Sequence, residues 1–168
     1  MKISIIGQTG NGKTTTAKII ENHFKANIIK LAEPLYDIQK EIYDKLGITL
    51  KGQDGELLQF LGDKIQRLSP EFLVKEFFKK CENIEFIVND DCRPHNYKYL
   101  KDKGFIFFFI DGIQRERKED HTSVDKNHKV EWNDKEARLK SDYILENKGS
   151  IEELEKKIIK LINSLLHN

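Results

Sequence analysis

A glycine-rich segment near the N-terminus has the residue types and spacing needed to bind phosphate. Residues 7–14 read GQTGNGKT and fit the pattern G-x-x-x-x-G-K-[ST] without a mismatch. Glycines allow backbone N–H groups to turn around a phosphate, the lysine neutralises its charge, and the final hydroxyl ligates Mg²⁺. The pattern follows an apolar segment and precedes helical spacing, as this loop requires. We therefore predict that a nucleotide's phosphates are bound by Gly10, Asn11, Gly12, Lys13, Thr14 and Thr15.

A pair of carboxylates follows a later apolar segment. Asp90 and Asp91 directly follow the stretch IEFIVN, which is predicted to be a strand over residues 84–89. Carboxylates at the carboxyl end of a parallel strand lie at the edge where ligands bind in α/β sheets. One of them is expected to hold Mg²⁺ together with Thr14, and the alternative is a solvated acidic turn. The sequence does not distinguish Asp90 from Asp91 in this role.

Arginine is rare, although basic residues are common. Of 29 basic residues only five are arginine, at positions 67, 93, 115, 117 and 138. Because lysine serves elsewhere, these positions are candidates for bidentate phosphate recognition. Three of the five lie in the charged segment 111–140, which is predicted to be a mobile lid. Arg115, Arg117 and Arg138 would close over a transferring phosphoryl group, with Trp132 anchoring the base of the lid; the alternative is a solvated charged segment.

Apolar spacing predicts alternating strands and helices, hence an α/β fold with a parallel sheet covered by helices on both faces. Ser69 is predicted to cap the N-terminus of the helix that follows it, and Ser150 with Glu153 forms a capping box for the last helix. That last helix should bury Ile151, Leu154, Ile158, Leu161, Ile162 and Leu165. The predicted strands cover residues 2–6, 27–31, 84–89, 105–110 and 143–145, and the helices 13–25, 33–46, 55–67, 70–81, 96–103 and the stretch from 150 onwards.

Composition excludes several classes of function. The net charge of +1 provides no basic field for duplex nucleic acid or an anionic membrane. The two cysteines, Cys81 and Cys92, form no disulfide framework, and with the histidines they match no zinc pattern. No apolar run reaches the roughly 20 residues of a membrane span. We expect a single cytoplasmic domain over residues 1–168 that binds neither nucleic acid nor membrane.

Several further segments stand out in order along the chain. They are LAEPL at 31–35, ELLQFLGD at 56–63 with Arg67 beyond it, IVNDDCR at 87–93, HTS at 121–123, and DYI at 142–144 with Asn147. Together with the phosphate-binding pattern, they resemble the deoxynucleoside monophosphate kinases of phage and viral type, within the nucleoside monophosphate kinase group. Three departures from that family's pattern concern the substrate: Glu33 stands where Asp is usual, Tyr36 where Lys is usual, and Val124 where an acid often follows the serine.

The resemblance implies a P-loop kinase with a five-stranded parallel sheet in the order 2-3-1-4-5, using ATP and Mg²⁺. It implies an acceptor-binding helical region over 33–81 and the lid over 111–140. Expected partners are small-molecule nucleotides, with the chain a monomer or homodimer in the host cytoplasm if phage-encoded. The implied catalytic residues are Lys13, Arg93, Arg115 and Arg117; those contacting the acceptor are Glu33, Gln59, Arg67 and Arg93; those near the adenine are Asn147 and Gly149.

Three alternatives stay open. The chain could be a P-loop kinase for another small phosphorylated acceptor, or a nucleotide-binding protein without turnover. The lid arginines argue against the second, because a binding protein need not neutralise a transferring group. A polynucleotide 5′-kinase is disfavoured by the net charge and by the lack of an aromatic and basic groove.

Overall fold

The computed structural model describes residues 1–113 and 132–167. Arg115, Arg117 and His121 therefore lie outside the described residues. In chain order the elements are β1 (Lys2–Ile6), α1 (Lys13–Phe24), β2 (Asn27–Ile28), α2 (Glu33–Leu46), α3 (Gly55–Leu68), α4 (Phe72–Lys80), β3 (Ile87–Asn89), a 3-10 turn (Pro94–Asn96), α5 (Tyr97–Asp102), β4 (Ile106–Gly112), α6 (Asp134–Lys140), β5 (Tyr143–Asn147) and α7 (Ile151–Leu166).

The sheet confirms the predicted α/β architecture. Its five strands run in the order β2-β3-β1-β4-β5, and every pairing is parallel. Phe107, Phe108 and Phe109 of β4 are all fully buried, because helices cover both faces of this strand. One apolar cluster packs α1 and α7 against the sheet, and a second lies on the opposite face beneath α4, α5 and α6. The carboxyl ends of the strands therefore meet at one edge.

The last helix begins as predicted. The Ser150 hydroxyl oxygen accepts from the Glu153 backbone N–H at 3.3 Å, which satisfies one of the free donors of the first turn. Leu154, Ile158 and Ile162 form the buried face. The prediction for Ile151 is wrong: its side chain is 53% exposed, because it lies at the start of the helix and outside the packed face.

The predicted N-cap at Ser69 is also wrong. Helix α3 continues to Leu68, and the Ser69 backbone N–H donates to the Ile65 carbonyl oxygen at 2.8 Å. Ser69 therefore ends α3, and its own carbonyl oxygen accepts from the Phe72 N–H at 3.0 Å. Helix α4 begins only at Phe72, after Glu71.

Several strand boundaries differ from the prediction because local hydrogen bonds take over. Strand β2 ends at Ile28; the Ile29 N–H still donates to the Val88 carbonyl oxygen at 2.9 Å, and the N–H groups of Leu31 and Ala32 then turn to a carboxylate described below. Strand β3 begins only at Ile87, because the Ile84 N–H still bonds to Cys81 in the turn after α4. Strand β5 is longer than predicted and pairs Asn147 with Gly112.

The described parts of the predicted lid segment are ordered elements. Strand β4 extends into it as far as Gly112, and α6 occupies its far end. Trp132 is buried, as its predicted role as an anchor requires, and its indole N–H donates to the Cys92 carbonyl oxygen at 2.7 Å.

Candidate functional site

The glycine-rich loop lies between β1 and α1, at the carboxyl edge of the sheet. Gly7, Gly10 and Gly12 have φ values of 140°, 87° and 99°, which side chains rarely adopt. The Lys13 ammonium folds back over the loop and donates to the carbonyl oxygens of Gly7 and Gln8, each at 2.8 Å. This geometry places a positive charge and the N-terminus of α1 at one point, which is the arrangement that binds phosphate groups.

The loop is held from the side by β4 and β5. The Asn147 side-chain amide donates to the Asn11 carbonyl oxygen at 2.8 Å, and the Asn11 amide donates to the Ile110 carbonyl oxygen at 3.2 Å. A Cβ atom at Gly12 would lie 2.4 Å from Asn147 Nδ2, and one at Gly112 would lie 2.6 Å from the Asn11 oxygen. Close approach of three backbone segments therefore requires glycine at both positions.

Asn147 and Gly149 are the two residues expected near the adenine. The Asn147 side chain is buried and bonded to the phosphate loop. Gly149 lies at the turn before α7, where an added Cβ would meet the Glu153 carboxylate.

Thr14 and Asp90 lie together beneath the loop. The Thr14 hydroxyl donates to Asp90 Oδ2 at 2.7 Å, and Asp90 is only 4% exposed. Lys30, directly after β2, places its ammonium 3.1 Å from Asp90 Oδ1 and 3.4 Å from Oδ2. Burial lowers the pKa of Lys30, but the carboxylates of Asp90 and Asp91 outweigh it, so its pKa is raised overall.

Asp91 is engaged elsewhere. Its carboxylate accepts from the backbone N–H groups of Leu31 and Ala32, each at 2.9 Å, and from the Asn89 amide at 2.6 Å. Burial raises the pKa of this carboxyl, and these N–H donors oppose the rise. The sequence could not assign different roles to Asp90 and Asp91, but their hydrogen-bond partners differ. Asp91 binds the backbone that follows β2, and Asp90 faces Thr14.

The donor set around Thr14 fits a Mg²⁺ ion bound jointly with a nucleotide. Within residues 1–113 and 132–167, no three His, Cys, Asp or Glu side chains form a metal-binding group. Mg²⁺ is usually held by one or two carboxylates, water and substrate phosphates, so one carboxylate and one hydroxyl suffice. Asp90 Oδ1 is buried and makes no directed hydrogen bond in the described part of the chain. That oxygen and the Thr14 hydroxyl are the ligands that the fold offers.

The predicted acceptor residues are spread over the helical region. Gln59 lies half-buried in the middle of α3, and Arg67 is exposed in its last turn. Glu33 begins α2 and forms an ion pair with Lys80 of α4 at 2.9 Å, with both side chains about 40% exposed. The structure therefore brings Glu33 towards α4, and it shows no contact that joins Glu33 to Gln59 or Arg67 among the described residues.

Arg93 lies directly after β3, at the start of the 3-10 turn, and is partly buried. The pKa of the neighbouring His95 is lowered, first by burial and then by the Arg93 charge, while Asp63 of α3 opposes the shift. His95 therefore lies near the charges of both Arg93 and Asp63 of α3.

Arg138 is paired. Its guanidinium lies 2.7 Å from Asp111 Oδ2 and 5.2 Å from the centre of the Phe109 ring, and Lys148 lies 3.1 Å from the same carboxylate. Burial raises the pKa of Asp111, but hydrogen bonds from Lys148 and Arg138 outweigh it and the pKa is lowered. Arg138 thus joins α6 to the end of β4.

A cavity of about 640 Å³ opens beside α2 and the loop before α3. Gln59 and Arg67 are not among its lining residues. Tyr36, in its wall, has a raised pKa, caused first by burial and then by the Asp91 carboxylate. The lining residues are Tyr36, Gln39, Lys40, Asp44, Gly47, Ile48, Thr49, Leu50, Gly52 and Gln53.

Both cysteines are free thiols with a raised pKa. Burial raises the pKa of Cys81 to about 11 and that of Cys92 to about 12. Neither is in a disulfide, as expected.

Sequence reasoning missed three contributors to the site. Lys30 belongs to no motif, and its pairing with Asp90 depends on the adjacency of β2 and β3. Gly112 and the Asn147 amide act on the loop from more than a hundred residues away along the chain. The one sequence signal for these contacts was Gly112, a glycine at the end of a strand whose other residues are mostly bulky.

The comparisons with known proteins concern the fold. No family model and no curated protein matches the sequence. Among the helices of the described part, none is long and apolar enough to cross a membrane. A shikimate kinase from Acinetobacter baumannii in complex with shikimate matches with a TM-score of 0.59 and 19% identity, over 97% of this chain and 93% of that one.

Two further shikimate kinases match at similar levels. The enzyme from Bacteroides thetaiotaomicron has a TM-score of 0.56 and 13% identity, over 97% of this chain and 98% of its own. The one from Aquifex aeolicus has a TM-score of 0.54 and 15% identity, over 99% and 98%. At these identities the likeness concerns the fold, so the chain has the α/β fold of the shikimate kinases, which are P-loop kinases.

Proposed function

We propose that this chain transfers the γ-phosphoryl group of ATP to the phosphate of a (deoxy)nucleoside 5′-monophosphate. An acceptor phosphate oxygen attacks the γ-phosphorus, the bond to the β-bridging oxygen breaks, and ADP and a nucleoside diphosphate leave. The single observation that carries phosphoryl transfer is the Thr14 hydroxyl on Asp90, 2.7 Å apart, beneath a complete phosphate loop.

Catalysis of this kind rests on positioning and charge neutralisation. The loop N–H groups and Lys13 would bind the β- and γ-phosphates, and Thr14 and Asp90 would hold Mg²⁺. If bound there, Mg²⁺ would supply neutralisation of the phosphate charge. Arg93, directly after β3, is assigned to the transferring group, with the lid arginines Arg115 and Arg117 proposed to join it.

The state of the carboxylates favours a phosphate as the acceptor over a hydroxyl. A hydroxyl acceptor needs a base to take its proton, whereas a phosphate monoester is largely dianionic at pH 7, with a second pKa of about 6. Three carboxylates at this sheet edge, Asp90, Asp91 and Asp111, are engaged by Thr14 and Lys30, by backbone N–H groups, and by Arg138 and Lys148.

The acceptor's nucleoside is assigned to the cavity beside Tyr36. Its volume of about 640 Å³ falls in the usual range for small-molecule sites, about 300–1,000 Å³. Arg67 is proposed to bind the acceptor's 5′-phosphate, with Gln59 and Glu33 contributing to the same region.

A second candidate acceptor is shikimate, because a solved structure with this fold is a shikimate kinase in complex with shikimate. A different small phosphorylated acceptor is the third. The discriminating experiment incubates the protein with Mg-ATP and each of the ribo- and deoxynucleoside monophosphates, shikimate and phosphomevalonate, while ADP release is followed.

ADP release that depends on one or a few nucleoside monophosphates would establish the proposal and name the base. Release with shikimate alone would replace it. If ATP binds and no acceptor promotes release, the chain is a nucleotide-binding protein or its acceptor is of another class.

A further inference from the structure

The Lys30 ammonium lies beside the buried Asp90 carboxylate. Lys30 is the second residue after β2, and Asp90 is the first residue after β3. Because β2 and β3 are paired, the two residues lie next to each other. The Lys30 ammonium lies 3.1 Å from Asp90 Oδ1. The Asp90 side chain is 1% exposed and that of Lys30 is 34% exposed, so the carboxylate is fixed inside and the ammonium reaches it from the surface.

The pair is incomplete as a hydrogen-bonded structure. A buried carboxylate is costly unless a positive charge and hydrogen bonds compensate it. Thr14 serves Asp90 Oδ2, but Oδ1 has no directed hydrogen bond among the described residues, and its contact with Lys30 is electrostatic. The charge on Oδ1 is therefore neutralised, but this oxygen still lacks a hydrogen bond of good geometry among the described residues.

Lys30 can leave this position without moving the backbone. The next two residues, Leu31 and Ala32, are held by the Asp91 carboxylate through their N–H groups. A lysine ammonium is a compact charge on a flexible stem, so the side chain can rotate while the main chain stays fixed.

We propose that the Lys30 ammonium occupies the cation position beside Thr14 and Asp90 when no metal ion is bound, and that a divalent cation displaces it when it binds. This inference rests on the proposed function only for the identity of that cation as Mg²⁺.

Manganese(II) is the probe, and its free concentration is followed by electron paramagnetic resonance in titrations without nucleotide. Lys30→Met removes the competing charge and keeps the length of the side chain. The expected result is Mn²⁺ binding about three- to tenfold tighter than in the unaltered protein, in the range for a partly buried ion pair. Lys30→Gln is titrated in parallel, so that poor folding of one variant, judged by thermal unfolding, does not remove the test.

Two further variants define the comparison. Lys75→Met removes an exposed lysine of α4 that pairs with Glu71, 3.0 Å away, and should leave Mn²⁺ affinity unchanged. Lys30→Arg keeps the charge and should bind Mn²⁺ no more tightly than the unaltered protein.

Equal or weaker Mn²⁺ binding in both Lys30→Met and Lys30→Gln would overturn the proposal, as would a complete lack of Mn²⁺ binding in all variants. The readout needs no turnover. Failure of every acceptor in the kinase assay therefore leaves this result interpretable, and the reverse also holds.

Discussion

The Asn147 amide donates to the Asn11 carbonyl oxygen over 2.8 Å and ties the last strand of the sheet to the phosphate-binding loop. The carbonyl belongs to the residue before Gly12, so the bond sets the direction of the loop's final N–H groups. The loop is therefore shaped by a contact across the sheet as well as by its own glycines.

Asn147→Asp is expected to weaken ATP binding by about tenfold or more. An aspartate has the same shape but cannot donate, and it leaves the buried Asn11 carbonyl oxygen without its partner, at a cost of about 1–3 kcal/mol. ATP affinity is measured by calorimetry beside Asn147→Ala. Affinity retained by the aspartate but lost by the alanine would show that Asn147 acts through packing alone.

Gly112→Ala is expected to reduce ATP affinity at least about tenfold by displacing the loop. The added Cβ would lie 2.6 Å from the Asn11 oxygen, a backbone atom that cannot rotate away. Gly62→Ala is the matched control, since its Cβ would lie 3.6 Å from Leu35 Cδ1 in ordinary contact. As Gly62 lies inside α3, that change should stabilise the helix by up to about 1 kcal/mol. Unchanged ATP affinity in Gly112→Ala would refute the close approach.

Lys13→Ala is expected to lower the rate of ADP release by at least about a hundredfold, because a preorganised charge at the transferring group is lost. Lys18→Ala, on the exposed face of the same helix, should release ADP at the unaltered rate. Full activity in Lys13→Ala would contradict the proposed mechanism.

Arg67→Ala is expected to raise the acceptor's KM by about tenfold, as for loss of a charge-assisted phosphate contact, while the KM for ATP stays unchanged. Steady-state kinetics in both substrates measure the split. Lys64→Ala, one turn earlier and also exposed, serves as the control. An equal loss for both substrates would remove the assignment of Arg67 to the acceptor.

Asp54 should make the stability of the helical region depend on pH. Its carboxylate accepts from the Leu57 N–H and the Tyr43 hydroxyl, and these bonds lower the pKa of Asp54. A lowered folded-state pKa adds stability above the unfolded value near 4, and this stability is lost as pH falls through the folded pKa.

The Asp54→Asn variant keeps a good helix cap but cannot titrate. Its melting temperature should fall below that of the unaltered protein at pH 7, and the two should converge towards pH 3. A constant difference between pH 7 and pH 3 would contradict the role of the charge.

The elements that the sequence predicted well are those with a local signal. The phosphate loop has a fixed pattern, FIFFFI is apolar on both faces, and Ser150 with Glu153 signals a helix start. The order of the strands followed from the resemblance and is confirmed.

The parts that escaped prediction depend on distant partners. Serine is a common N-cap residue, but α3 extends to Leu68, and the Ser69 backbone N–H therefore donates to a carbonyl oxygen of α3. Asp90 and Asp91 are identical in type and adjacent in sequence, and only their opposite orientation at the sheet edge separates them. Arg138 was predicted to be functional because arginine is rare in this sequence. Its ion pair with Asp111 depends on the packing of α6 against β4, which the spacing of residues along the chain does not show.

The burial of the two thiols has a practical consequence for spectroscopy. Burial raises the pKa of both thiols, and the thiolate is the reactive form. A cysteine introduced at an exposed position is therefore expected to react with a maleimide dye before either native one. Labels placed in this way on exposed positions of α3 and α6 would report the distance between these helices as nucleotides bind.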